Sequence, residues 1–99
     1  MATFFFKLIP LRPDFYQTMT ADERAMMNRH AAYWTEKQKE GKTPVFGPVL
    51  DPNGTYGIGV VEVETEEEAR ELRAGDPAVV SGWFREEIYP MRAVVEGRH

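Results

Sequence analysis

Cysteine is absent from the 99-residue chain. Disulfide scaffolds, thiolate zinc sites and cysteine nucleophiles are excluded with it. Histidine is scarce: there are two, and one of them is the terminal His99, too few for a credible metal site with the carboxylates. Clustered positive charge is missing too. The basic residues are interleaved with acids and the formal net charge is −4, so nothing gathers a phosphate backbone and no nucleic-acid partner is expected. The apolar run near the N-terminus is too short to cross a bilayer. It also lacks the basic region and small-residue cleavage site of a secretory signal. No membrane association is expected, and the cysteine-free composition fits a reducing cytoplasm. No GxGxxG or phosphate-binding loop occurs, and Ser81 sits in Val-Ser-Gly without the pattern of a nucleophile elbow. No cofactor is therefore expected, and cofactor-free acid–base chemistry is what remains.

What is present is an ordinary globular composition, 42% hydrophobic and 28% charged. The length suggests one domain over residues 1–99 with a thin core, since a chain this small buries only about 60–65% of its unfolded surface. Packing against a second copy would add to that core. No internal repeat or low-complexity tract interrupts it.

Thr3–Ile9 is apolar, aromatic and β-branched and reads as a strand buried on both faces. Pro10 and Pro13 end it, and Leu11–Met19 reads as irregular. Thr20-Ala-Asp-Glu23 matches a capping box, opening a helix that runs to about Glu40, with Gly41 as its left-handed end. Thr43–Leu50 reads as a strand whose Gly47-Pro48 pair marks a bulge or an edge. Asp51-Pro52-Asn53-Gly54 is a tight turn. Tyr56–Glu64 alternates as a third strand, with Glu62 and Glu64 expected in water. Thr65-Glu-Glu-Glu68 is a second capping box, and Ala69 and Leu72 mark the inner face of its short helix. Asp76 caps a further helical turn with Pro77 at its first position. Gly82 releases the chain into a last strand, Trp83–Val95, kinked or edge-placed at Pro90. The order β-α-β-β-α-β predicts a ferredoxin-like α+β fold, with an antiparallel sheet and both helices on one face. Two such sheets facing each other form a dimeric α+β barrel, so a homodimer is expected.

His30 is the residue with the most chemical potential. At about 100° per residue, Met26, Met27, His30 and Trp34 share one stripe of the first helix, while Arg24, Asn28, Arg29 and Glu36 take the other face. His30 therefore points toward the sheet, where an imidazole needs a partner for its ring N–H. Asp76 is the leading partner, because the two helices of this fold lie side by side. Such a contact would fix the imidazole tautomer and favour the imidazolium. The plainer readings are a structural core histidine and a simple helix cap. Trp34 can stack on a flat ligand or simply fill core. Phe6 and Phe46 can line the same cavity. Arg12 and Arg85 can receive an anionic ligand or remain solvated surface charges. Asp51 belongs to its turn.

His30 on the first helix, Gly47-Pro48 on the second strand, Glu67-Glu68-Ala69 on the second helix and Asp76-Pro77 before the last strand form, in that order, a pattern that resembles the YCII-related family. The match covers most of the chain. The resemblance implies a dimeric α+β barrel and a His–Asp active site, which carries over to His30 and Asp76. It also implies lyase-type acid–base chemistry on small hydroxylated aromatic molecules. Leu11–Met19 is longer and more aromatic than in compact members and can cover a pocket mouth. Two functions remain open: a cofactor-free lyase or isomerase acting on a small-molecule substrate, and a non-catalytic ligand-binding or accessory module on the same dimeric fold. A cofactor-free monooxygenase is a third and weaker reading.

Overall fold

Phe4, Phe6 and Leu8 alternate with Thr3, Phe5, Lys7 and Ile9, a period of two that suits a pleated strand. In the computed structural model, which describes residues 2–94, they form β1 (Ala2–Pro10). A single turn of 3₁₀ helix, Phe15–Gln17, follows. Then come α1 (Ala21–Lys39), β2 (Val45–Val49), β3 (Tyr56–Val63), α2 (Glu66–Ala74), α3 (Pro77–Ser81) and β4 (Phe84–Met91). The sheet order is β2-β3-β1-β4, with every neighbouring pair antiparallel. This is the split βαβ topology, an α+β fold.

Local chemistry sets the helix boundaries. Thr20 Oγ1 accepts from the Glu23 N–H at 3.1 Å, and Glu23 Oε1 accepts from the Thr20 N–H at 2.8 Å. A cap of this kind stabilises a helix by about 1 kcal/mol. Beyond α1 the chain turns at Gly41, with φ of +79°. The second capping box is only half formed. Thr65 accepts from the Glu68 N–H, but the Glu68 carboxylate reaches past Thr65 to the Glu64 N–H and pairs with Lys42. Asp76 caps α3 through the Ala78 N–H, and Gly82 closes it with φ of +77°.

One sheet face lies under the helices. Phe4, Phe6, Trp34, Val61, Val63, Ala69 and Leu72 form one buried cluster, and Leu8, Phe15, Met26, Ala78 and Phe84 form a second.

Several sequence expectations need correction. β1 is fully buried on one face only: Phe4, Phe6, Leu8 and Pro10 are buried, whereas Phe5, Lys7 and Ile9 are half-buried on a face that no helix among the described residues covers. Glu62 is buried rather than in water, because β3 is an interior strand shielded by its neighbours, while Glu64 is exposed. The β2–β3 register runs without interruption through Gly47 and Pro48, so the pair marks an edge strand and not a bulge. The last strand is the other edge. It ends at Met91, and Val95 lies outside the described residues. No helix among the described residues is long and apolar enough to cross a membrane.

Candidate active site

α2 stops at Ala74, and Gly75 then passes close beneath α1. A Cβ built on Gly75 would stand 2.7 Å from the Tyr33 hydroxyl, which itself donates to the Leu72 carbonyl at 2.6 Å. A side chain at this position would have to displace the Tyr33 hydroxyl, and the close approach carries Asp76 to the inner side of α1. There Asp76 meets the stripe of α1 that holds His30 and Trp34.

The Asp76 carboxylate is almost wholly buried and accepts three hydrogen bonds. Its Oδ1 stands 2.9 Å from the Ala78 N–H and 2.7 Å from His30 Nδ1, and its Oδ2 accepts from Trp34 Nε1 at 2.8 Å. An ionised carboxylate is acceptor-only, and an indole N–H and a backbone N–H are donors only. His30 Nδ1 therefore carries the proton. In the neutral imidazole Nε2 is then the lone-pair nitrogen, and it has no hydrogen-bond partner among the described residues. The His30 side chain is 16% exposed and lines a cavity of about 200 Å³.

That cavity has a specific origin. On the helix-facing side of the sheet, Phe6, Gly59 and Phe46 form one cross-strand row, and Leu8, Gly57 and Pro48 the next. Gly57 and Gly59 contribute no side chains, so the middle of each row is empty and a gap opens under α1. Phe6, Phe46, Trp34, Met27, Tyr16 and Val79 supply apolar walls. Burial pushes the Tyr16 phenol above its ordinary pKa; burial and the Asp76 charge do the same to Tyr33. The charged lining residues are His30, Asp76, Arg73, Glu86 and Lys7, and the Lys7 side chain belongs to the opposite sheet face, its ammonium 4.6 Å from the centre of the Tyr56 ring. Arg73 Nε stands 2.6 Å from Glu86 Oε1. Among the described residues no group of three His, Asp or Glu is arranged to hold a metal ion.

The YCII-related domain model matches residues 3–92. The chain belongs to the YCII-related family. No curated protein matches it. Among solved structures, this YCII-related chain is similar to 5-chloro-2-hydroxyhydroquinone dehydrochlorinase of Burkholderia phenoliruptrix AC1100, solved in complex with 2,5-dihydroxybenzoquinone. The TM-score is 0.61 at 19% identity, over 90% of this chain and 93% of that one. The likeness shows the fold.

The structure brings His30, Asp76, Trp34, Phe6 and Phe46 to one cavity of this YCII-related chain. Arg12 it does not. Its guanidinium forks onto Glu23 at the start of α1, with Nη1 to Oε2 at 2.8 Å and Nη2 to Oε1 at 2.9 Å. The charge-assisted fork, together with the Thr20 N–H, holds the Glu23 carboxyl down at about 2. Arg85 lies exposed and pairs with Glu87. Asp51 accepts from the Asn53 N–H and serves the turn. From Leu11–Met19, Tyr16 reaches the cavity wall. Sequence reasoning misses Arg73 and Glu86. The signal for Glu86 is its place between Phe84 and Ile88 at a period of two, a charge on a core-facing side. For Arg73 it is the adjacency to Leu72 on the inner face of α2.

Proposed function

We propose that the chain is a cofactor-independent acid–base enzyme, a lyase or isomerase acting on a small hydroxylated aromatic substrate. The carrying observation is the 2.7 Å contact of His30 Nδ1 with buried Asp76, which leaves Nε2 free at the wall of an apolar cavity. The volume, about 200 Å³, suits a one-ring molecule, since a dry cavity of about 150 Å³ admits benzene. The dehydrochlorinase likeness, in fold, supports the same substrate class.

In this reading His30 Nε2 takes a proton from a hydroxyl, or from a carbon beside a carbonyl. The electron pair left behind moves into the ring system. It either expels a leaving group at another position, an elimination, or collects a proton there, an isomerisation. Asp76 stabilises the imidazolium that forms and keeps the ring from turning. Trp34 and Phe6, packed edge to face with centroids 5.9 Å apart, form a wall against which a flat ring rests.

The open sheet face belongs to the same proposal. Val45 and Tyr89 are exposed on it, and Phe5, Ile58 and Val60 are half-buried. A second copy packed there would cover these side chains, giving a homodimer with the two cavities on its outer, helical sides. The setting proposed is the cytoplasm, in keeping with a chain free of cysteine.

The test is a screen of halogenated and hydroxylated phenols against wild type and His30→Gln. Turnover by wild type that falls by about 10²–10⁴-fold in His30→Gln supports the reading. Equal turnover in both proteins, or binding of every candidate with no turnover, sinks it. The second result would leave a ligand-binding module.

A further inference from the structure

The proposed proton transfer uses His30 and Asp76 and leaves the paired Arg73 and Glu86 of the cavity lining without a task. Glu86 sits on β4 opposite Leu8, in the row that continues through Gly57 to Pro48. It therefore faces the space under α1. Its side chain is 16% exposed. Oε1 is held by Arg73, whereas Oε2 is buried with no hydrogen-bond donor among the described residues. Native proteins rarely bury an acceptor in this way. The group is also out of its ordinary electrostatic range: burial raises the Glu86 pKa, the Asp76 charge adds to the rise, and Arg73 opposes it.

The charges in the lining restrict what can enter. A ligand carboxylate would meet two carboxyl groups, and the Arg73 guanidinium is already neutralised by its ion pair with Glu86, 2.6 Å away, although its Nε makes no hydrogen bond there. A neutral ligand with a hydroxyl at this point would instead supply the missing donor. Its gain is large for a single bond, because the acceptor is charged and already stripped of much of its water.

We infer that Glu86 is a specificity-determining residue: its Oε2 accepts a hydrogen bond from a second hydroxyl of the ligand, so the cavity selects neutral dihydroxy aromatic molecules over monohydroxy ones and over aromatic carboxylates. This rests on the ligand class proposed above and adds the group that reads the second substituent. Arg73 fixes the orientation by holding Oε1. In Glu86→Gln the amide oxygen stays with Arg73 and the NH₂ replaces Oε2. That exchange turns an acceptor into a donor.

The experiment measures Kd for phenol, benzoate and the three dihydroxybenzenes from the NMR shift of the Trp34 indole N–H. Wild type should bind at least one dihydroxybenzene about tenfold more tightly than phenol, the worth of one hydrogen bond to a charged group, and benzoate more weakly than phenol. In Glu86→Leu the ratio of dihydroxybenzene to phenol affinity should fall to about one. The ratio should fall likewise in Glu86→Gln, which keeps the test intact if the leucine variant does not fold. A merely structural Glu86–Arg73 pair would change affinity for phenol and the diols alike. An advantage that survives in both variants, or no advantage in wild type, overturns the role of Glu86. Failure of all five probes to shift the Trp34 signal overturns the ligand class itself.

Discussion

Asp76→Asn changes one atom's chemistry and almost no volume, yet it is expected to be among the most damaging substitutions in the chain. The carboxylate receives three donors, the Ala78 N–H and His30 Nδ1–H on Oδ1 and the Trp34 Nε1–H on Oδ2. An asparagine has only one acceptor atom. If its oxygen takes the Oδ1 place, its NH₂ faces the indole N–H, donor against donor. If its oxygen takes the Oδ2 place, its NH₂ faces both the Ala78 N–H and His30. The first orientation conflicts with one donor and is preferred. It leaves a buried indole N–H unsatisfied, which costs about 1–3 kcal/mol. At about 4–8 °C per kcal/mol for a domain of this size, Tm should fall by roughly 4–24 °C. Thermal unfolding by circular dichroism reads this directly. A companion cycle isolates the cause: Trp34→Phe removes the competing donor, so the double variant should be more stable than the sum of the two singles by about 1 kcal/mol. An Asp76→Asn protein as stable as wild type, or strict additivity in the cycle, would refute the three-donor account.

Two further outcomes follow from other parts of the molecule. Glu23 is held at about 2 by Arg12 and the Thr20 N–H, below its ordinary 4.5; a lowered carboxyl contributes stability above 4.5 that is lost as pH falls toward 2. Urea midpoints measured across that range should decline more steeply in wild type than in Glu23→Gln. Gly57 has ordinary negative-φ geometry, and a Cβ there would sit 3.6 Å from the Leu8 Cβ, an ordinary contact. Gly57→Ala should therefore stabilise the fold by about 0.4–1 kcal/mol through the unfolded chain, while narrowing the cavity floor and weakening ligand binding; calorimetry and an affinity measurement read the two effects separately.

Features carried by local chemistry are legible in the sequence. The Thr20–Glu23 box, the turn at Asp51–Gly54 and the Asp76-Pro77 cap need only neighbouring residues, and each forms. The periodicity of α1 places His30 on the inner face without reference to the rest of the fold. The His30–Asp76 contact spans 46 positions, and its existence depends on how closely Gly75 passes under Tyr33, a packing detail no spacing encodes. Arg12 is a sharper case: an arginine in an irregular segment has no periodicity to orient it, and the fork onto Glu23 competes successfully for it. Glu62 and the outward side of β1 depend on which strands become interior and which face the helices cover. Gly57 and Gly59 show on one side of an alternating strand, but their role as an empty floor appears only when Phe6, Leu8, Phe46 and Pro48 are placed beside them.

The central claim is that Asp76 holds His30 with its proton on Nδ1, so that Nε2 is the base. Long-range ¹H–¹⁵N correlation spectra of the His30 ring, taken above pH ~8 where an ordinary imidazole is neutral, read that tautomer directly. The expected spectrum has a protonated Nδ1 and a bare Nε2, with the Nε2 signal moving when a dihydroxybenzene is added. A ring protonated on Nε2, or an Nε2 signal indifferent to every phenol, would contradict the account.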